Sequence, residues 1–333
     1  MKPEGITQKQ WIKYNFYMTL EHFIGIKNSE KYIRPYKNKL YAEILKNPGL
    51  EDRGKTYTEK DITCTNFDFI NSKDSLMQGP LLFKGVAKSW PCITKWNKDF
   101  FRNNYADYNI SLVGNVGLAD HENQNKHKVA SMGEFINTLG KEKHNYLRFS
   151  RIIDERPELR NDVDVPFLEK FRSKFARGGY LYLFMGEAGS KTDMHTAIIQ
   201  TLFIQIKGEK KWVIYAPNER IFIDGIAERR PYYYSHANPN NLNDPNYPLL
   251  KHAIRYEVTL NEGDVLWFPS FYWHYVENLS ENIGVTYKFT EFGEAFKISR
   301  VMTGLFFLAT RPTLLESFYY NTFKKRDLLF DAH

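Results

Sequence analysis

From Ile110 to Phe289 the chain alternates short apolar, β-prone runs with turn signals, and no other feature restricts its fold so tightly. Ile110 to Val113, Tyr146 to Phe149, Tyr180 to Met185, Thr201 to Ile206, Trp212 to Tyr215, Arg255 to Leu260, Asp264 to Phe268 and Gly284 to Phe289 each read as a strand. Gly186 to Ser190, Lys207-Gly208-Glu209, Pro217-Asn218-Glu219 and Asn261-Glu262-Gly263 supply the turns between them. Many short strands with regular turn signals close into an antiparallel sandwich or barrel. A further short run, Leu81-Leu82-Phe83 between Gly79 and Gly85, reads as another strand. Pro231 to Tyr247, with five Asn and three Pro, is expected as a long polar loop between strands, a lid or binding surface.

Helical periodicity flanks this region. Trp11, Tyr14, Tyr17 and Met18, then Tyr41, Ile44 and Leu45, recur at spacings of three and four before Pro48-Gly49 ends the pattern. Asp61 to Phe69 reads as a polar turn, and Trp96 to Tyr105 as a short helix carrying Phe100 and Phe101 inward. After Gly293 the pattern is helical again, through Phe318 to Lys325. The expected division is a helical extension over 1–55, a β domain over 56–292 and a C-terminal helical segment over 293–333.

A chain of 333 residues, 42% of them hydrophobic, can bury a sizeable core. The net charge of +7 is dispersed without a block of like charges, so no nucleic-acid partner is expected. No run of 18 apolar residues exists, so no membrane span is expected, and Met1 to Gly5 lacks the order of a secretory signal. Cys64 and Cys92 form no Cys-x-x-Cys pair, which points to free thiols in a reducing compartment, with the cytoplasm as the default.

His195-Thr196-Ala197 and Trp273-His274 carry the chemistry. Two imidazoles with a carboxylate two residues after the first make a facial triad for non-haem iron, yet position 197 holds alanine, which cannot donate an electron pair. Residues 193, 195 and 197 share one parity in a regular strand, so Asp193 is a candidate to supply the missing ligand. A lone histidine among aromatics is more often core packing; the pair raises the case for a metal. Lys210 has the parity of Ile204 and Ile206, whereas Gln205, Lys207 and Lys211 share the other, which favours an inward Lys210 over a lysine solvating a hairpin.

Three stretches, in order, carry a family likeness: Met185 to Thr192 before His195, Phe203 to Trp212, and Gly263-Asp264-Val265-Leu266-Trp267-Phe268-Pro269 before Trp273-His274. From about residue 60 to 292 the chain resembles the cupin-like JmjC group of Fe(II)/2-oxoglutarate oxygenases, nearest the factor-inhibiting asparaginyl hydroxylase type. The resemblance implies a double-stranded β-helix, mainly β with flanking helices, and a metal and cosubstrate near one open end. It implies Fe(II) on His195 and His274, and 2-oxoglutarate with its distal carboxylate on Lys210, Thr192 and Tyr146. Lys288 stands where the nearest relatives have a neutral amide close to the cosubstrate.

Ala197 departs from the hydroxylases and looks like the His-x-Ala or His-x-Gly of radical halogenases, where the small residue leaves room for chloride on iron. An altered oxygenase or halogenase and a non-catalytic cupin-like binding protein are therefore both implied. The substrate class on either oxygenase likeness is a protein side chain or an amino-acid-like small molecule. The aromatic C-terminal helices are candidates for a homodimer interface.

Overall fold

The structure is a computed structural model that describes residues 2–65, 76–112, 128–141 and 146–309. Val113 and the helical reading of Phe318 to Lys325 lie outside the described residues. The N-terminal periodicity resolves into three helices, α1 (Gln8–Ile24), α2 (Ile26–Tyr32) and α3 (Arg34–Ile44). Thr7 opens α1 with a capping box, and Gly25, at φ +78°, ends it because a left-handed residue cannot continue a helix. The stretch expected as a turn from Asp61 begins instead with a helical turn over Glu59–Ile62, nucleated by a Thr58/Asp61 capping box that the turn reading overlooked.

The strands are β1 (Thr56–Tyr57), β2 (Leu81–Phe83), β3 (Asn109–Leu112), β4 (Lys128–Ser131), β5 (Tyr146–Ser150), β6 (Arg177–Gly186), β7 (Lys191–Ala197), β8 (Gln200–Lys207), β9 (Lys210–Tyr215), β10 (Ile226–Ala227), β11 (Tyr232–Tyr234), β12 (Arg255–Leu260), β13 (Val265–Phe268), β14 (Trp273–Asn278) and β15 (Asn282–Thr290). One sheet runs β1-β12-β9-β14-β7-β11-β10 and faces a second, β2-β13-β8-β15-β6-β5. From β6 to β9 and from β12 to β15 the chain steps to the opposite sheet at every strand, which is the winding of a double-stranded β-helix. Gly208 makes the tight β8–β9 reversal at φ +75°; a Cβ there would sit 2.0 Å from the Glu281 carbonyl oxygen.

Alternation sorts the side chains of the six-stranded sheet. Leu181, Leu183, Met185, Leu202, Ile204, Val285, Tyr287 and Phe289 face outward into a cluster with Phe101, Phe135, Phe167 and Phe171, whose segments cover that face. Phe101 of the Lys98–Tyr105 helix is buried as expected and Phe100 packs against the same cluster. The other parity, with Tyr182, Phe184 and Phe203, faces the opposite sheet.

The N-terminal helices share the core of the seven-stranded sheet through Tyr14, Met18, Leu40, Tyr41 and Ile44. Polar bonds fix them there: the Tyr14 hydroxyl donates to the Arg220 carbonyl at 2.8 Å, and buried Lys37 pairs with Glu21 at 3.0 Å and Asp224 at 2.6 Å. No helix among the described residues is long and apolar enough to cross a membrane.

The expected loop from Pro231 begins as strand. Tyr232, Tyr233 and Tyr234 form β11, which pairs with β7 so that Tyr234 lies opposite His195 and Tyr232 opposite Ala197. Three consecutive aromatics supply strand propensity and bury against both neighbours, whereas the loop reading weighed only the Asn and Pro that follow.

Candidate functional site

His195 and His274 are direct cross-strand partners on β7 and β14, and their ring centroids lie 4.2 Å apart. The His195 Nδ1 faces the Asp193 carbonyl at 2.8 Å and the His274 Nδ1 faces the Tyr272 carbonyl at 3.0 Å. A carbonyl only accepts, so each Nδ1 carries the proton and each Nε2 keeps a lone pair, the tautomer a metal ligand needs. Burial above all, with Lys288 and Arg148 adding to it against the bond to the Asp193 carbonyl, brings His195 down to about 4 and keeps it neutral.

A bulge in β7 decides what else joins them. His274 pairs with His195 and Val276 with Thr192, so two steps on β14 match three on β7. The extra residue brings Thr192 to the face of His195, although an unbroken strand would put them on opposite faces. It also places Asp193 and Met194 across from Tyr275, so the shared parity expected for residues 193 and 195 does not hold. Among the described residues no three His, Cys, Asp or Glu side chains gather where a metal could sit, so Asp193 does not complete a triad. Ala197 follows His195 at the position expected, its carbonyl accepting from the Phe271 amide at 2.8 Å.

Lys210 is wholly buried as expected, though not for the parity it shares with Ile204 and Ile206: those two face outward, and the β8–β9 reversal turns Lys210 inward beside Phe203. Burial alone brings its ammonium down from 10.5 to about 7. Its Nζ donates to the Tyr146 hydroxyl at 3.1 Å and lies 4.6 Å from the Phe203 ring centroid. Tyr146 also hydrogen-bonds Thr192; burial carries its hydroxyl up to about 12, against the lowering effects of Arg148 and Thr192. The structure thus gathers Tyr146, Thr192 and Lys210 into one group. No carboxylate among the described residues is paired with Lys210, and an unpaired buried ammonium is expensive.

Lys288 lies on the same inner face. Its partners Tyr180 and Thr201, and Phe268 opposite Thr201, form one row across the sheet, and Phe268 packs on His274 at 4.8 Å. The ammonium sits 4.3 Å from the Phe149 ring centroid, and burial brings it down from 10.5 to about 7. The interior also holds donors with no acceptor among the described residues: Trp212 Nε1, Arg148 Nε and the Thr286 hydroxyl. Such a chamber is built to receive acceptor atoms carrying negative charge.

Sequence reasoning did not single out Arg148, Phe149, Trp212 or Thr286. Arg148 and Thr286 carried a signal, since they share the parity of Tyr146 and Lys288. Phe149 carried none: it reaches the chamber through a register break in β5, where its φ is +58°.

The architecture agrees with comparisons against known proteins. A model of the cupin-like domain matches residues 72–295. JmjC domain-containing protein D of Dictyostelium discoideum is 22% identical over 271 residues, covering 75% of this chain and 56% of that protein. Lysine-specific demethylase 8 of Xenopus tropicalis is 21% identical over 227 residues, covering 67% and 51%. The human tRNA wybutosine-synthesizing protein 5 is 25% identical over 232 residues, covering 62% and 69%. The chain spans about half the length of the first two. A family match over residues 72–295, most of the chain, and relatives that carry the JmjC name have one meaning: this chain belongs to the cupin-like JmjC family.

Proposed function

We propose that this chain is an Fe(II)/2-oxoglutarate oxygenase-type protein with a two-histidine metal site and an open position at Ala197. The buried Lys210 ammonium, bound to Tyr146 and unmatched by any carboxylate among the described residues, carries the reading. A dicarboxylate would supply the missing charge there, with Tyr146 and Thr192 hydrogen-bonding its oxygens. His195 and His274 fit a metal by spacing and tautomer and would hold Fe(II). Bound Fe(II) would supply oxygen activation coupled to oxidation of 2-oxoglutarate. The Ala197 methyl leaves a coordination position to water or chloride, so the site suits halogenation or an altered hydroxylation. The names of the lysine-specific demethylase relatives support a protein side chain as substrate, and an amino-acid-like small molecule shares that chemistry.

One observation favours a second reading, a non-catalytic cupin-like binding protein. Lys288 and Arg148 act electrostatically on His195, which works against a divalent cation that has already lost its anionic ligand. Anaerobic titration with Fe(II) and 2-oxoglutarate, with and without chloride and read by the metal-to-ligand absorption band, separates the two. A band that shifts with chloride supports the halogenase-type site, and a band that ignores chloride supports an altered hydroxylase. No band with bound 2-oxoglutarate supports the binding protein.

A further inference from the structure

We infer that Lys288 is a second carboxylate anchor, so that Lys210 and Lys288 hold a short dicarboxylate from both ends without a metal. The inference rests on the dicarboxylate reading above and deepens it. In a two-ended clamp, charge at the mouth replaces what an iron centre would give the proximal end of the ligand.

The spacing comes from the sheet. Phe203, whose ring meets the Lys210 ammonium at 4.6 Å, pairs with Thr286; Lys288 lies two residues further along β15 on the same face. Two residues along a strand advance about 7 Å, so the two ammonium groups enter the chamber from different rows and not at one point. Lys288 thereby stands in the row of Phe268, which packs on His274, and Lys210 reaches the row below. Phe184 and Phe149, 5.0 Å apart, form the wall between the two ammonium groups; Lys210 lies 5.9 Å from the Phe184 centroid and Lys288 4.3 Å from that of Phe149. An apolar wall between two cations suits a methylene chain with a carboxylate at each end.

Lys288 and Lys210 have no carboxylate partner among the described residues, and Arg148 Nε and the Thr286 hydroxyl add unmatched donors. Net positive charge at the metal end opposes a divalent cation and attracts an anion. A lysine at 288 and an uncharged alanine at 197 thus act in one direction. Both make the site more positive.

Calorimetry on the full chain in excess EDTA, with glutarate, 2-oxoglutarate and butyrate as probes, tests this. Glutarate and 2-oxoglutarate should bind without metal, and Lys288→Met should weaken both by about tenfold or more while leaving butyrate unchanged. Lys288→Arg, which keeps the charge, should recover most of the loss, and thermal melting of each variant shows that it folds. Binding that appears only with added metal, or that is indifferent to Lys288→Met, overturns the second anchor. In that case Lys210→Met discriminates: loss of binding leaves the dicarboxylate reading standing, whereas unchanged binding removes both.

Discussion

Replacing Lys210 with methionine should stabilise the free protein and weaken its response to 2-oxoglutarate. The lysine is wholly buried, and its ammonium is brought from 10.5 to about 7 by burial alone. At about 1.36 kcal/mol per pKa unit, the charged form costs the ligand-free fold on the order of a few kcal/mol. The folded pKa is below the unfolded one, so between about 7 and 10.5 the unfolded chain binds more protons. Stability of the free protein therefore rises with pH across that window, and below about 7 the penalty is present in full.

Lys210→Met removes this penalty while filling similar volume, so the variant should melt higher than wild type near pH 6 and show a flatter rise toward alkaline pH. A residual rise should persist because Lys288 is also brought to about 7. The ligand effect has the opposite sign. A charge-assisted hydrogen bond worth about 1.5–3 kcal/mol sets a loss of roughly 10- to 150-fold in 2-oxoglutarate affinity. Thermal melts across the pH range, with and without 2-oxoglutarate, read both. A variant less stable than wild type near pH 6, or one whose ligand-induced shift is undiminished, refutes the argument.

Ala197→Asp should raise Fe(II) retention by restoring a charged third ligand and should remove any chloride response; equilibrium dialysis against Fe(II) checks this, and unchanged retention would count against a metal at the histidine pair. His274→Ala removes one of two imidazoles and should lower Fe(II) affinity at least tenfold while leaving dicarboxylate binding in EDTA near wild type, as measured by calorimetry. Asp224 would be raised by burial, but Lys37 and Arg34 outweigh it and hold its carboxyl well below the usual range, so its contribution is full at neutral pH and is lost as pH falls below about 4. Asp224→Asn should cost about 3–5 kcal/mol in denaturant unfolding at pH 7, because Lys37 is left buried with only Glu21, and it should abolish that acid sensitivity. Gly284→Ala places a Cβ 2.2 Å from Phe203 Cζ, so a loss of about 1–3 kcal/mol is expected, and an unchanged midpoint would show that the ring can move freely.

The sequence by itself determined an antiparallel sandwich or barrel in the middle of the chain and located most of its strands, while the double-stranded winding was what the family resemblance implied. The strands follow from short-range rules, because alternation and turn chemistry are written in consecutive residues and survive whatever partner strand is found. The three motif stretches also named His195, His274, Thr192 and Lys210, and the family resemblance added Tyr146 and Lys288. Tertiary structure decided which of these share a face. A single extra residue in β7 carries Thr192 to the side of His195 and takes Asp193 out of line, and no local pattern announces a bulge whose register depends on β14. The same holds for β11, where Tyr232 to Tyr234 become strand only because β7 offers an edge, and for Phe149, which joins the wall between the two lysines through a register break with β6. Pairing across strands distant in sequence sets these positions, because hydrogen-bond register is a property of two strands together and is absent from either one alone.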